Sequence, residues 1–316
     1  MKDLFIPRKH LENFRTLLQP NKVIILYGPL RSGKTTLLKK FLEEVNESYL
    51  YLNGEDIFVQ QELSSQSIEK LKNFIGGYQI LAIDEAHKIP NIGLNLKLIV
   101  DNIEGIKVVA TGSASFDLFQ KLGEPLTGRK LTLRLFPLAC LELKEIQALH
   151  EIKASLESRL VYGSYPEVVI ARSDKERVVF LRELVSSYLC KDILAINGLR
   201  HSEKLIRILQ LLAFQIGNEV SFSEISSQVG LNKKTVERYL DLLAKVFVIY
   251  KLQGFSRNLR KEISKSSKYY FYDLGVRNAL INNFNPLHLR NDLGMLWELS
   301  LIHISEPTRL GMISYA

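Results

Sequence analysis

Val23-Ile24-Ile25-Leu26-Tyr27-Gly28-Pro29-Leu30-Arg31-Ser32-Gly33-Lys34-Thr35-Thr36 decides how this chain is read. Its first half is a β-branched apolar run, which predicts a strand buried on both faces. The run ends at Gly28, and a helical pattern over Thr35–Val45 follows. Between them stands G-x-x-x-x-G-K-T. Glycines at 28 and 33 let the backbone curl so that successive N–H groups point inward. The helix start adds the positive end of its dipole. Such a turn cradles phosphates: Lys34 reaches the β- and γ-phosphates, and the Thr35 hydroxyl takes one Mg²⁺ position. Gly28, Pro29, Leu30, Arg31, Ser32, Gly33, Lys34, Thr35 and Thr36 form the expected ATP-binding loop. An incidental lysine in a glycine-rich turn is the plain alternative, and the flanking strand and helix speak against it.

Four more apolar runs follow in the first half, at Tyr49–Leu52, Gln79–Ile83, Ile106–Thr111 and Leu131–Phe136. Helical patterns at Ser67–Ile75 and Leu94–Ile103 separate them, with Gly76-Gly77 and Gly105 as stops. Alternating runs of this kind predict a parallel sheet covered on both faces.

Carboxylates follow the third run. Ile80-Leu81-Ala82-Ile83-Asp84-Glu85 ends a strand in two acids about 50 residues beyond the loop. Asp84 is the expected holder of Mg²⁺ through water, and Glu85 the base that orients an attacking water. Two solvated surface acids are the alternative. The fourth run ends in Thr111-Gly112-Ser113, where Ser113 or Thr111 can meet a γ-phosphate or the water; capping the segment Phe116–Leu122 is the rival role. Arg129, just before the fifth run, is a candidate for neutralising transition-state charge in its own site or a neighbour's, or else forms a salt bridge.

From Leu138 to about Phe214 helices are expected, broken at Gly163-Ser164-Tyr165-Pro166. Helices at Lys204–Ile216, Ser223–Val229 and Lys233–Ala244, then strands at Phe247–Leu252 and Lys268–Tyr272, predict a winged helix-turn-helix with a basic wing. In its third helix Val236, Tyr239, Leu240 and Leu243 recur as a core stripe, with Asn232 as the N-cap.

The chain of 316 residues suits two or three domains. It carries a net charge of +8, and residues 200–290 hold 15 Lys/Arg against 7 Asp/Glu. A nucleic-acid or protein partner is therefore expected there, met by Lys233, Lys234, Arg238, Arg257 and Arg260; Lys261, Lys265 and Lys268 add to the wing's basic charge. Glu237 and Asp241 would face the same phosphates, and a merely solvated basic face is the alternative. No apolar run reaches membrane-spanning length and no leader pattern opens the chain, so a cytoplasmic location without membrane contact is expected. Cys140 and Cys190 read as free thiols, and no zinc or triad motif is present.

With these residues in hand, the sequence resembles prokaryotic AAA-type ATPases, an AAA_14 domain followed by a DUF4143 domain. Gly28–Thr36, Ile83–Pro90, Tyr51-Leu52-Asn53-Gly54-Glu55-Asp56, Tyr162–Glu167, Leu212–Ser221 and Tyr270–Asn278 carry the resemblance. It implies an α/β P-loop NTPase with a five-stranded parallel sheet of order 5-1-4-3-2, a helical lid and a winged helix. The expected division is 1–137 ATPase core, 138–203 helical region, 204–275 winged helix and 276–298 the start of a truncated part. Relatives continue past Trp297-Glu298 into a nuclease-like segment. Here 299–316 resembles sequencing-adapter read-through, and Ile302–Ala316 is expected to pack poorly. The functional expectation is a Mg²⁺-dependent ATPase acting as a switch, in a homo-oligomer if Arg129 acts on a neighbour; the alternative is an ATP-regulated nucleic-acid binder.

Overall fold

The computed structural model describes residues 5–113, 126–186, 202–252 and 267–300. Two units divide the chain, one of residues 7–136 and 308–316, the other of 1–6 and 137–307.

In the first unit, helix α1 (Lys9–Leu17) leads into β1 (Lys22–Gly28), α2 (Lys34–Glu44) and β2 (Tyr49–Asn53). Next come α3 (Ile57–Leu63), α4 (Ile68–Ile75), β3 (Ile80–Asp84), α5 (Ile92–Asn102), β4 (Lys107–Ser113) and β5 (Lys130–Arg134). The sheet order is β2-β3-β4-β1-β5 with every pairing parallel, as the resemblance implied. β1 and β3 are buried along nearly their whole length, which is why both read as continuous apolar runs. Alternate residues of β1, Ile24 and Leu26, meet Phe14 of α1 and Leu37, Leu38 and Phe41 of α2 in one core. Side chains two apart on a strand share a face, so those helices cover one side of the sheet.

Some boundaries differ from the sequence reading. α5 starts at Ile92 because Asn91 takes a left-handed conformation (φ 51°) and turns the chain into the helix early. β5 ends at Arg134, and the Leu135 N–H still donates to the Tyr27 carbonyl of β1 at 2.8 Å.

The second unit is helical: α6 (Cys140–Leu143), α7 (Leu149–Ala154), α8 (Leu156–Tyr162), α9 (Pro166–Ile170) and α10 (Asp174–Leu184). Pro166 opens α9, where its missing N–H costs nothing. Then follow α11 (Ser202–Phe214), α12 (Phe222–Val229) and α13 (Lys233–Lys245). Gly230, left-handed at φ 62°, closes α12, and the Asn232 side chain caps α13 by accepting the Thr235 N–H. Strands β6 (Ile249–Leu252) and β7 (Lys268–Phe271) pair antiparallel. Helix α14 (Leu274–Leu280) is capped by Asp273, which is fully buried. Burial pushes the Asp273 carboxyl up to about 6, although the backbone N–H groups of Ser164, Val276 and Gly275 favour its charge. A Cβ on Gly163 (φ 78°) would lie 2.2 Å from that carboxylate, which ties the Gly163 turn to the start of α14.

Residues 114–125, Cys190, the expected wing residues Arg257, Arg260, Lys261 and Lys265, and the tail Ile302–Ala316 lie outside the described residues. No helix among the described residues is long and apolar enough to cross a membrane.

Candidate functional site

β1 ends at Gly28, and the chain must turn there beneath β5. A Cβ on Gly28 would sit 2.0 Å from the Leu135 carbonyl oxygen, so no side chain fits. The loop then runs through Pro29, Leu30, Arg31 and Ser32 to Gly33, left-handed at φ 95°, which starts α2 and offers it no capping side chain. The first amides of α2 are thus left to an outside acceptor, the condition for an anion site. Ser32 is fully buried, and its hydroxyl has no partner among the described residues. Lys34, on the first turn, is buried to 4% exposure. Its ammonium donates to the carbonyls of Gly28 (3.1 Å) and Pro29 (2.8 Å), arching the loop over itself. Thr35 is half-buried beside it and Thr36 is exposed. An unpartnered buried hydroxyl, an uncapped helix start and a buried ammonium fit the triphosphate of a nucleotide.

β3 carries Asp84 to the same edge of the sheet. Asp84 is buried and accepts hydrogen bonds from the Thr111 hydroxyl and, at 3.2 Å, the Tyr51 hydroxyl. Thr111 also accepts the Glu85 N–H at 3.1 Å, so one hydroxyl holds both acids. Glu85 itself is left-handed (φ 49°), a conformation few non-glycine residues adopt. Gly54 makes that turn feasible: its N–H donates to the Asp84 carbonyl at 2.7 Å, and a Cβ there would meet the Glu85 carbonyl oxygen at 2.4 Å. His87 Nδ1 lies 3.1 Å from a Glu85 carboxylate oxygen.

Electrostatics tie these groups together. Burial lowers the Lys34 ammonium to about 8, while Glu85 and Asp84 pull it back up. Burial raises the Glu85 carboxyl; Lys34 opposes this, and Asp84 and Glu55 add to it. Burial, then the neighbouring Asp84 carboxylate, pushes the Tyr51 hydroxyl up to about 12. A cation and two carboxylates therefore share one low-dielectric patch. An acid pair with a partly exposed threonine nearby is also a donor set that suits Mg²⁺, which prefers few carboxylates and keeps its waters.

Ser113 and Arg129 are placed differently. The Ser113 backbone lies opposite Gly28 in the β1–β4 register, while its side chain lies outside the described residues. Arg129 is not brought to its own chain's loop: its carbonyl accepts the Val23 N–H, at the start of β1, and its guanidinium pairs with Asp101. In a parallel sheet the residue before one strand lies at the edge opposite to where its neighbour ends. The five steps from Val23 to Gly28 span about 16 Å, which sets Arg129 apart from its own chain's loop.

Tyr51, His87 and Arg8 were not anticipated as parts of this site. Arg8 donates to the Ser32 carbonyl (3.1 Å) and to the Phe136 carbonyl, buttressing the loop from a segment far away in sequence. Only His87, two residues past Glu85, had a local signal. Tyr51 and Arg8 arrive through tertiary contacts.

Residues 20–144 match the AAA domain family AAA_14, and residues 153–287 match a domain of unknown function, DUF8612, in place of the DUF4143 that the resemblance implied. An uncharacterized protein of Haemophilus influenzae is 26% identical over 293 residues, covering 81% of this chain and 68% of that protein. A second, MJ1544 of Methanocaldococcus jannaschii, is 22% identical over 80% of this chain, which spans only 61% of that relative's length. A 37-residue stretch is 49% identical to the uncharacterized ATP-binding protein PH0541 of Pyrococcus horikoshii, 11% of this chain and 12% of that one. Among solved structures, the Walker-type ATPase PABY2304 of Pyrococcus abyssi superposes with a TM-score of 0.60 at 17% identity, over 89% of this chain and 97% of that one, a likeness of fold. Residues 20–144 thus form an AAA_14-type domain, followed at 153–287 by a C-terminal domain of unknown function.

Proposed function

We propose that this protein binds ATP with Mg²⁺ and hydrolyses it, using the nucleotide state as a switch. One observation carries the reading: a buried ammonium and two carboxylates meet where β1 and β3 end, beside an uncapped helix start. In this scheme the backbone N–H groups from Leu30 to Thr36 and the Lys34 ammonium bind the phosphates, Lys34 exchanging its carbonyl partners for phosphate oxygens. The Ser32 hydroxyl gains its missing acceptor. Thr35 and Asp84 would hold Mg²⁺, and the ion would supply charge neutralisation to the phosphates. Glu85 accepts the proton of the attacking water, and its raised carboxyl makes it a stronger base than an exposed glutamate. Ser113 meets the γ-phosphate from the tip of β4. Arg129 acts, if anywhere, on a neighbouring copy in a homo-oligomer.

The decisive experiment separates binding from turnover. Lys34→Ala is expected to abolish ATP binding by titration calorimetry, whereas Glu85→Gln keeps binding and lowers hydrolysis by at least about 100-fold, in the range general bases contribute. Unchanged turnover in Glu85→Gln would remove Glu85 from the base role. Tight binding by Lys34→Ala would remove the loop from the nucleotide site.

In the second unit we read 138–203 as a helical lid and 204–275 as a winged helix, with α12 and α13 as its helix pair and β6–β7 as its wing. The placement in the cytoplasm belongs to the same proposal. A second reading, an ATP-regulated nucleic-acid binder, rests on Lys233, Lys234 and Arg238, all exposed on α13. The two lysines stand at the positive end of the α13 dipole, where a phosphate offsets their mutual strain.

A further inference from the structure

Among the described residues the chain passes between the two units twice, at Ile6–Pro7 and at Phe136–Pro137. Both steps end in proline, which fixes its own φ and confines the residue before it to extended backbone. Such links are stiff. On the second unit's side, Ile6 and Leu138 are buried in one apolar cluster with Leu143 and Ile152. On the first unit's side stands Arg8, 7% exposed, in extended backbone at the N-cap of α1. One arm of its guanidinium donates to the Ser32 carbonyl at 3.1 Å, and the other donates to the Phe136 carbonyl. Neighbouring contacts fasten the same stretch. The Leu135 N–H donates to the Tyr27 carbonyl at 2.8 Å, and the Leu135 carbonyl occupies the space a side chain on Gly28 would need. His10 Nε2, on the first turn of α1, lies 2.7 Å from the Arg134 carbonyl.

A planar guanidinium suits two acceptors at once, and its fork fixes their separation. When it is buried, a carbonyl drawn away from it leaves a desolvated donor, so moving one acceptor pulls on the other. Both acceptors here are backbone. A shift at Ser32 therefore reaches Phe136, the last residue before the crossing, through one rigid side-chain group. The loop has a reason to shift. Lys34 donates to the Gly28 and Pro29 carbonyls, and in the proposed scheme it gives them up for phosphate oxygens. Ser32 lies between those carbonyls and Lys34 in the chain. Phosphate is met by the loop's N–H groups, whereas Arg8 holds a carbonyl, so Arg8 works behind the loop rather than on nucleotide.

We propose that Arg8 is a positioning residue that passes the nucleotide state of the loop to the second unit through the Phe136–Pro137 crossing. This rests on the switch reading above, and the test separates the two. Hydrogen exchange over residues 138–170 is followed by mass spectrometry in the full chain, with and without a non-hydrolysable ATP analogue and Mg²⁺. Calorimetry measures the analogue's affinity, and circular dichroism checks folding. In the native protein the analogue is expected to change exchange over 138–170. Arg8→Met removes both donors, and Arg8→Lys keeps the charge without the fork. Both variants are expected to bind the analogue within about threefold of the native affinity, as a residue off the nucleotide should. Both should show less than about a fifth of the native change in exchange. A merely structural residue would alter exchange equally with and without the analogue, leaving that difference intact. A native protein that does not bind the analogue, or binds it with no change over 138–170, ends the switch reading and the proposal with it. A native response that either folded variant keeps overturns the proposal alone. Loss of analogue binding in a folded variant would place Arg8 in the binding loop, and failure of both variants to fold would make it a structural strut. Either result overturns the proposal as well.

Discussion

Lys34 is buried with neutral carbonyl partners, and burial holds its ammonium at about 8. In the proposed complex, phosphate oxygens replace those carbonyls and favour the charged form. The sign follows. Below pH 8 the free protein already carries the proton and ATP affinity is flat in this group. Above pH 8 the amine is increasingly neutral, so binding must take up a proton and affinity falls, approaching tenfold per pH unit. Calorimetry between pH 7 and 9.5, in buffers of different ionisation heat, should show proton uptake growing with pH. Uptake absent at pH 9 would mean that Lys34 stays charged without nucleotide. Thr111 shows the complementary economy of the site: a single hydroxyl donates to Asp84 and accepts from the Glu85 backbone, fixing two acids whose roles differ.

At the scale of elements, the candidate base depends on how β2 and β3 end. β2 pairs with β3 through Asn53 and Asp84, and Gly54 lets the chain pass within contact of the Glu85 carbonyl. Gly54 is not among the groups proposed to touch nucleotide. Gly54→Ala puts a methyl 2.4 Å from that carbonyl and must displace the turn carrying Glu85. Turnover is expected to fall about tenfold or more, as misplaced catalytic groups do, with ATP affinity within about threefold of the native protein. Parallel loss of binding and turnover would show that the turn supports the loop as a whole. The sheet itself was legible in the sequence, because doubly covered parallel strands are apolar at nearly every position, as Val23–Tyr27 and Ile80–Ile83 are. Element ends were less legible: Asn91 before α5 and Glu85 after β3 adopt left-handed backbone that asparagine tolerates and glutamate rarely does, and only local packing selects it.

For the whole molecule, the charge excess of residues 200–290 and the surface position of Arg129 raise two questions of assembly. If α13 and the wing meet nucleic acid, duplex affinity should fall steeply with salt, losing roughly tenfold or more between 50 and 200 mM salt. Lys233→Ala with Lys234→Ala should flatten that slope; no binding at low salt, or a slope that both lysines leave unchanged, argues for a protein partner. Arg129 pairs with Asp101 at the sheet edge opposite the loop, so in the proposed scheme its contact with nucleotide is made in another copy. ATP turnover per molecule should then rise with protein concentration, and Arg129→Ala should abolish the rise; a flat profile in the native protein ends the trans reading.

The sequence by itself determined the loop, its strand and helix, and the acid pair, because phosphate binding is built from contiguous backbone and a local glycine pattern. It also carried the sheet and the helical second half, through periodicity that depends only on which positions are buried. The tertiary structure alone decided what surrounds those residues. Thr111 rather than a neighbour holds the acids, Tyr51 and Arg8 reach the site from distant segments, and Arg129 lies at the wrong edge for its own loop. Each of these depends on contacts across many residues of chain, where register, layer and direction of a strand are set by packing rather than by local pattern.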